Sequence, residues 1–283
     1  MPRVTAARSN AVRKPKLGQH FLADQSAAVQ IVDALGDVSQ KTVLEIGPGK
    51  GVLTSLLAKR ARRLIAIELD RVLAAQLRMQ FGQTENVEII EGDVLAIDFN
   101  TLFGPRPGAS RPGMELIHEP VCVVGNIPYY ITSDLLLRLF ENRQYVELMV
   151  LMVQLEVADR LASTPGGSEY GLLSATAQLY ARVEKLFELV PDDFSPPPKV
   201  HSAVVRLTIE PQFATLGVPE KEFIDFLKLS FGQKRKTLWN NLKPKYGQKL
   251  LESALQETQI KPTVRAEALS LEKNAAIFRA LNH

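Results

Sequence analysis

Apolar segments alternate with amphipathic helical patterns along the first 150 residues of the chain. Short apolar or β-branched runs, which are typical of buried parallel strands, occur at 42–46, 63–67, 86–90, 121–124 and 146–153. Between them apolar residues recur at helical spacing, and Asp24, Asp70, Asp98 and Ser133 stand where helix N-caps are expected. Two more strands, at 183–190 and 202–209, follow helices at 154–161 and 171–180. This order predicts an α/β fold with a mostly parallel, Rossmann-like sheet and an antiparallel end.

The rest of the chain is predicted to be helical. Residues 211–219 begin and end with proline and are expected to form a linker, after which helical patterns occur at 221–231, 237–242, 248–256 and 271–281. We therefore expect a disordered basic tail at 1–13, a main domain at 14–210 and a small all-helical domain at 211–283. Residues 104–120, rich in proline and glycine, are expected to form a surface loop.

A glycine-rich turn separates the first buried strand from the helix that follows it. The turn reads Glu45-Ile-Gly-Pro-Gly-Lys-Gly51. It is not a dinucleotide fingerprint, because Val52 occupies the third glycine position, and it is not a P-loop, because Lys50 is followed by glycine. The pattern E-x-G-x-G favours S-adenosylmethionine, which has no phosphate, with Gly47 and Gly49 allowing the ligand to approach the backbone. A tight strand–helix turn without a ligand is the alternative.

Acidic residues follow the next two predicted strands. Glu68 comes about twenty residues after the glycines, at the end of the second strand, where a carboxylate can accept both ribose hydroxyls. Asp93 follows the third strand and is placed to accept from an adenine amino group. A surface carboxylate or a helix cap is the alternative for Glu68.

The fourth predicted strand ends in Asn126-Ile127-Pro128-Tyr129. This segment suits methyl transfer to an exocyclic amine, whose lone pair is delocalised into the base. The Asn126 amide oxygen and a backbone carbonyl of residues 126–128 can accept the two N–H hydrogens, while Pro128 stiffens the segment. Tyr129 offers a ring on which an extruded base can stack. An Asx-Pro turn beside core tyrosines is the alternative.

The distribution of charge indicates a polyanionic partner, although the net charge is only +3. No acid occurs in residues 1–20 or 232–249, and both segments carry several cations. In the second segment Trp239 and Tyr246 are interleaved with cations that we predict contact a nucleic acid: Lys234, Arg235, Lys236, Lys243 and Lys245. A solvated helix face is the alternative.

Cysteine usage and hydropathy indicate the cellular compartment and the type of fold. The single cysteine, Cys122, cannot form an internal disulfide, and no segment resembles a signal peptide or a membrane span. These features favour the cytoplasm and exclude a disulfide-stapled fold. The histidines, among them His118 and His201, show no metal-ligand spacing, so no metal site is expected.

Over nearly its full length the chain resembles the KsgA-type small-subunit rRNA adenine dimethyltransferases. The segments that carry the resemblance are Leu17-Gly-Gln-His-Phe-Leu22, Glu45-Ile-Gly-Pro-Gly49, Ile67-Glu-Leu-Asp70, Gly92-Asp93, Gly125-Asn-Ile-Pro-Tyr129, Tyr170-Gly-Leu-Leu-Ser174 and Phe194-Ser-Pro-Pro-Pro-Lys-Val-His-Ser-Ala-Val-Val205.

The resemblance implies a class I S-adenosylmethionine-dependent methyltransferase sheet. It also implies that two adjacent adenosines near the 3′ end of small-subunit rRNA each receive two methyl groups, late in ribosome assembly and within a pre-30S particle; we expect a monomer. The cofactor contacts implied are His20, Leu22, Gly47, Glu68, Asp93 and Asn126. His20 stands where members of the family usually carry Asn. Phe194 is implied as the second face of the base sandwich, with a core Phe as the alternative.

Two other functions remain open at this point. One is a related enzyme that methylates large-subunit rRNA and confers antibiotic resistance. The triple proline before Lys199 and the form of the C-terminal region favour the small-subunit enzyme instead. The other is a non-catalytic assembly or transcription factor that keeps the fold. The presence of Glu68, Asp93 and Asn126 argues against lost chemistry.

Overall fold

The computed structural model describes residues 20–104 and 120–282. The strands in this part of the chain are β1 Phe21–Leu22, β2 Thr42–Ile46, β3 Arg63–Glu68, β4 Val87–Glu91, β5 Val121–Asn126, β6 Val146–Gln154, β7 Ala181–Leu189, β8 Phe194–Ser195 and β9 Ser202–Ile209. The helices are α1 Gln25–Asp33, α2 Val52–Leu57, α3 Arg71–Phe81, α4 Phe99–Phe103, α5 Thr132–Glu141, α6 Leu155–Ala162, α7 Leu172–Tyr180, α8 Phe213–Leu216, α9 Glu220–Ser230, α10 Leu238–Tyr246, α11 Gln248–Glu257 and α12 Leu271–Leu281.

The predicted sheet is confirmed. Seven strands pair in the order β4-β3-β2-β5-β6-β9-β7, with parallel pairing from β4 to β6 and antiparallel pairing of β9 with both β6 and β7. The strand order reverses between β2 and β5, where an open α/β sheet forms a crevice at its carboxyl edge. The glycine turn and the Asn126 segment both begin at this point.

Both faces of the sheet are covered at its centre, so β2, β3 and β5 are buried along almost their whole length, whereas the edge strands β4 and β7 are partly exposed. Along β2, Leu44 and Ile46 pack into one hydrophobic cluster and Val43 into another on the opposite face. A third cluster holds the helices from α8 to α12 together and also contains Tyr170 and Leu179. The domain boundary near residue 211 stays a prediction.

Helix starts were predicted well where an acid provides the cap. Asp24, Asp70 and Asp98 each accept a backbone N–H at the start of α1, α3 and α4. The prediction that Ser133 caps α5 is wrong. A 3-10 helix, Tyr129–Ile131, runs directly into α5, so the chain is already helical at that point and Ser133 lies inside the first turn.

The predicted linker at 211–219 is also partly wrong, since it contains α8. The Phe213 ring packs edge-on against Tyr180, at 5.2 Å between ring centroids, and Gly217 ends the helix in a left-handed conformation with φ +62°. Helix α10 runs past the predicted end at residue 242 and includes Pro244. It continues because the Tyr246 ring in its last turn packs edge-on against Phe226, at 6.5 Å between ring centroids.

The short antiparallel pair β1–β8 has no counterpart in the predicted elements. Phe21 pairs with Ser195 and Leu22 with Phe194, which joins the N-terminal segment to the triple-proline segment. The predicted tail at 1–13, Leu17 to Gln19 of the first motif, His118 and most of the predicted loop (105–119) lie outside the described residues.

Candidate active site

A cavity opens at the carboxyl edge of the sheet, around the ends of β2, β3, β4 and β5. It contains about 850 Å³ of space, its open mouth included. The sequence-predicted residues that line it are His20, Gly47, Gly49, Glu68, Asp93, Asn126, Ile127, Pro128 and Tyr129. Leu22 lines a smaller adjoining cavity below the glycine turn. The fold therefore brings together segments that are more than a hundred residues apart.

The glycine turn presents bare backbone to this cavity. Gly47 and Gly49 have φ of +66° and +58°, in the left-handed region that residues with a Cβ rarely adopt. A Cβ at Gly49 would also lie 2.7 Å from the Phe21 ring. Gly49 therefore allows both the turn and the close packing of the N-terminal segment on it.

Glu68 holds the glycine turn against the end of β3. Its side chain is 3% exposed; Oε2 accepts the Gly49 N–H at 3.0 Å and Oε1 accepts the Asp70 N–H at 2.8 Å. Burial raises the pKa of Glu68, and the two backbone N–H groups oppose that rise. Each carboxylate oxygen has a second lone pair, so both can still accept a hydroxyl group.

Glu45, which the sequence analysis left without a role, lies beneath the same turn. It is 1% exposed, and its Oε2 accepts the Thr54 hydroxyl at 2.7 Å. Burial raises the pKa of Glu45 to about 8. The carboxyl group is consequently protonated at neutral pH. The position of Glu45 at the start of the E-x-G-x-G pattern is the sequence feature that could have pointed to this role.

Asp93 lies at the cavity on the loop after β4. Its Oδ1 accepts the Leu95 N–H at 2.9 Å, which leaves Oδ2 for a ligand amino group. The loop is held from α5, where an Arg138 Nη2 donates to the Ile97 carbonyl and the guanidinium carbon lies 5.7 Å from the centre of the Phe99 ring. Arg138 thus links the helix after the Asn126 segment to the loop that carries Asp93, and no sequence pattern predicted this.

The Asn126 amide is oriented by the N-terminal segment. Its Nδ2 donates to the His20 carbonyl at 2.7 Å, which assigns the two amide atoms and leaves Oδ1 as an acceptor. The Pro128 carbonyl already accepts the Ile131 N–H at 3.0 Å, whereas the Ile127 N–H donates to the Met152 carbonyl at 3.1 Å. The segment is therefore rigid and rich in acceptors at the cavity wall, which suits the binding of an amino group.

Two comparisons with known proteins identify the family. Residues 10–283 match the family model described as ribosomal RNA adenine dimethylase. A protein of Koribacter versatilis, "Ribosomal RNA small subunit methyltransferase A", is 54% identical over 99% of both chains. The chain belongs to the ribosomal RNA adenine dimethylase family. A protein of the same description from Acidobacterium capsulatum is 52% identical over 95% of this chain and 91% of its own length.

Solved structures support the fold. A dimethyladenosine transferase from Plasmodium falciparum has a TM-score of 0.72 at 26% identity, covering 91% of this chain and 96% of the other. The 23S rRNA methyltransferase ErmE has a TM-score of 0.68 at 26% identity, covering 93% and 100%. The chain thus has the α/β fold of S-adenosylmethionine-dependent methyltransferases, and the family's cofactor is S-adenosyl-L-methionine.

The cavity fits that cofactor. A left-handed glycine turn, a buried carboxylate with free lone pairs and an acid on the next loop line one space, as a nucleoside with an amino-acid tail requires. Phe21 and Leu69, which the sequence analysis did not assign, add apolar walls. Leu69 was detectable as an apolar residue directly after the acid.

His20 meets Asn126 through its backbone rather than its ring. The ring Nδ1 lies 2.8 Å from the Pro196 carbonyl, and because a carbonyl only accepts, Nδ1 carries the proton. The contact with Asn126 would therefore survive replacement of His20 by Asn. A direct contact between His20 and the cofactor stays a prediction.

Phe194 is placed differently from the other predicted site residues. It is 4% exposed, belongs to the same hydrophobic cluster as Leu22 and does not line the cavity. This burial fits the core role that the sequence left open. Its role as the second face of a base sandwich stays a prediction.

The cations predicted to contact nucleic acid are all exposed, and none of them lines the cavity. We refer to these residues as the basic surface: Lys234, Arg235, Lys236, Lys243 and Lys245. The ammonium groups of Lys243 and Lys245 lie 5.9 and 5.2 Å from the ring centres of Trp239 and Tyr246. Lys234 Nζ lies 3.5 Å from the Ser168 carbonyl. Cations and aromatic rings are combined here as single-stranded nucleic acids require, and the RNA contact stays a prediction.

Residues 20–104 and 120–282 contain neither a metal-binding cluster nor a membrane-spanning helix. No group of three or more His, Cys, Asp or Glu side chains in these ranges is arranged to hold a metal ion. No helix there is both long and apolar enough to cross a bilayer.

Proposed function

We propose that this chain transfers methyl groups from S-adenosylmethionine to the exocyclic amino groups of two adjacent adenosines near the 3′ end of small-subunit (16S) rRNA, two to each. The single observation that carries the proposal is that Glu68 and Asn126 line the same cavity. The His20 carbonyl orients the Asn126 amide at that cavity. The relatives at 54% and 52% identity, both described as small-subunit methyltransferases, support the choice of rRNA.

Residues on one side of the cavity would hold the cofactor. Glu68 would accept its ribose hydroxyls, Asp93 Oδ2 its adenine amino group, and the bare backbone of Gly47 and Gly49 would admit its amino-acid portion. When bound, S-adenosylmethionine supplies an electrophilic methyl group on a sulfonium. Glu68 is pre-positioned by two backbone hydrogen bonds, so little ordering of the side chain remains to be done on binding.

Residues on the other side would hold the target amine. Asn126 Oδ1 accepts one amino hydrogen, and a backbone carbonyl of residues 126–128 accepts the other. The Pro128 carbonyl, which already accepts the Ile131 N–H, has one lone pair left for this. Two acceptors favour a pyramidal nitrogen and direct its lone pair at the methyl group. Catalysis would then come from orientation and electrostatics, with no dedicated base.

Tyr129 would stack on the extruded adenine. Its hydroxyl lies within hydrogen-bond distance of Ser202 Oγ, at 3.0 Å, which fixes the direction of the ring's long axis at the cavity wall. A fixed ring is a better platform because less side-chain freedom is lost when a base stacks on it.

The relatives at 54% and 52% identity do not favour the large-subunit alternative, and similarity of fold does not separate the two, since ErmE and the dimethyladenosine transferase structure have similar TM-scores. The test is complementation of a strain that lacks its small-subunit dimethylase. Primer extension on 16S rRNA should regain two adjacent stops with the wild-type chain and none with Asn126→Ala. Stops on 23S rRNA instead, or unchanged 16S rRNA, would overturn the proposal. Ribosome binding by an inactive Asn126→Ala variant would reveal a second, non-catalytic role.

The proposed setting follows from the substrate. The chain would act as a monomer on a pre-30S particle in the cytoplasm, with the basic surface binding the rRNA backbone. Sedimentation of the wild-type protein with small-subunit precursors, compared with mature subunits, tests this placement.

A further inference from the structure

Tyr130 differs from the other aromatic residues that the structure describes. Its side chain is 65% exposed, and it is the one aromatic among the exposed large hydrophobic residues of 20–104 and 120–282. It also lines the cavity, directly after the Asn126–Tyr129 segment. A single exposed aromatic ring is common on protein surfaces. The Tyr130 ring is notable for its position, because it lies at the rim of the ligand site and next in sequence to the anchored Tyr129.

The backbone beneath Tyr130 is held firmly. The Ile131 N–H donates to the Pro128 carbonyl at 3.0 Å, and the Thr132 hydroxyl donates to the Tyr129 carbonyl at 3.3 Å. By contrast, no side-chain hydrogen bond or ring contact within the described residues engages the Tyr130 ring. The turn thus presents two neighbouring rings, one anchored through Ser202 and partly buried, the other open to solvent.

We propose that the Tyr130 ring stacks on the base next to the target adenine. This rests on the proposed function, in which the substrate is a pair of adjacent adenosines. When one base is extruded into the cavity, its neighbour loses a stacking partner and is left at the rim, one nucleotide away. Tyr130 replaces that partner, and because stacking tolerates any base, it serves whichever adenosine is outside.

Enzyme variants test the stacking. Stacking on an aromatic side chain is worth about 1–3 kcal/mol per base, so Tyr130→Ala should raise KM for undermethylated small subunits about 5- to 150-fold. Tyr130→Trp and Tyr130→Phe should retain the wild-type KM, since the ring and not the hydroxyl is required. Donor affinity, measured by calorimetry, should be unchanged in all three. An unchanged KM for Tyr130→Ala would overturn the proposal.

A substrate change separates stacking from a general loss of binding. Small subunits are reconstituted with 16S rRNA whose ligated 3′ segment carries an abasic nucleotide beside one target adenosine. If Tyr130 stacks on the base that this substrate lacks, the effects of Tyr130→Ala and of the abasic nucleotide on KM should be non-additive. Either change made in the presence of the other should then raise KM no further. Full additivity would overturn the proposal. If the wild-type chain methylates no small-subunit RNA at all, the proposed function fails instead, which is a distinct outcome.

Discussion

Replacement of Glu45 by Gln should change how the stability of the fold depends on pH. Glu45 is 1% exposed beneath the glycine turn, and burial raises the pKa of its carboxyl to about 8 from an ordinary 4.5. Gln has nearly the same shape and keeps an oxygen that can accept the Thr54 hydroxyl, but it cannot ionise. The comparison therefore isolates the titration of one buried group.

The sign and size of the effect follow from the pKa difference. Below about pH 4.5 Glu45 is protonated in both states. Between pH 4.5 and 8 the unfolded chain ionises while the folded chain keeps its proton, so the free energy of unfolding falls by about 1.4 kcal/mol per pH unit. From pH 5 to 7.5 this amounts to about 3 kcal/mol, which the Gln variant does not lose.

The measurement is urea denaturation of both proteins without cofactor, at several pH values from 5 to 7.5. The stability of the Gln variant relative to wild type should rise steadily with pH, whatever the offset at pH 5. Glu222→Gln, at an exposed position, controls for removing a carboxylate and should follow the wild-type curve. Parallel curves for Glu45→Gln and wild type would refute the assignment of a protonated, buried Glu45.

Three further predictions concern binding. Gly49→Ala places a Cβ 2.7 Å from the Phe21 ring at φ +58°, so this variant should lose about 1–2 kcal/mol of stability and bind the cofactor more weakly. Gly36→Ala, at φ +71° with nothing within 4 Å of the added Cβ, should lose stability alone. Equal cofactor affinities of the two variants, measured by calorimetry, would contradict this prediction. Arg138→Ala frees the loop after β4 and should raise the cofactor Kd several-fold with little change in kcat at saturation, and Arg138→Lys should restore part of the affinity; a loss of kcat alone would disprove that role. Replacing the cations of the basic surface by neutral residues should weaken binding to the small subunit. The slope of log K against log salt concentration should decrease by roughly 0.7–0.9 for each rRNA phosphate that is no longer neutralised. Lys59→Gln, at the far end of the sheet, should change neither quantity, and identical slopes for all variants would exclude the basic surface as the rRNA contact.

Elements with a strong local pattern were predictable from the sequence. β2, β9 and α12 have the predicted bounds, because apolar runs and helical spacing are local properties of the chain. The glycine turn and the acids after β3 and β4 were predictable for a similar reason, since parallel strands end at one edge and bring consecutive turns together.

The contacts that orient the site were not predictable. His20 and Asn126 are 106 residues apart, and Arg138 and Ile97 are 41 apart, so no periodicity connects the partners. Strands β1 and β8 have two residues each, which is too short for alternation to be visible. Glu45 lies in the predicted strand 42–46, but the enclosure of its carboxyl group with Thr54 depends on the packing of α2 against that strand, which no local pattern shows.

Methyl transfer to undermethylated small subunits is the measurement that tests the central claim most directly. The wild-type chain and labelled S-adenosylmethionine are incubated with these particles, the rRNA is digested, and its nucleosides are separated and identified by mass. We predict N6,N6-dimethyladenosine at two adjacent positions near the 3′ end of 16S rRNA, and none with Asn126→Ala. Label in another nucleoside, or equal label with the Asn126→Ala variant, would contradict the account.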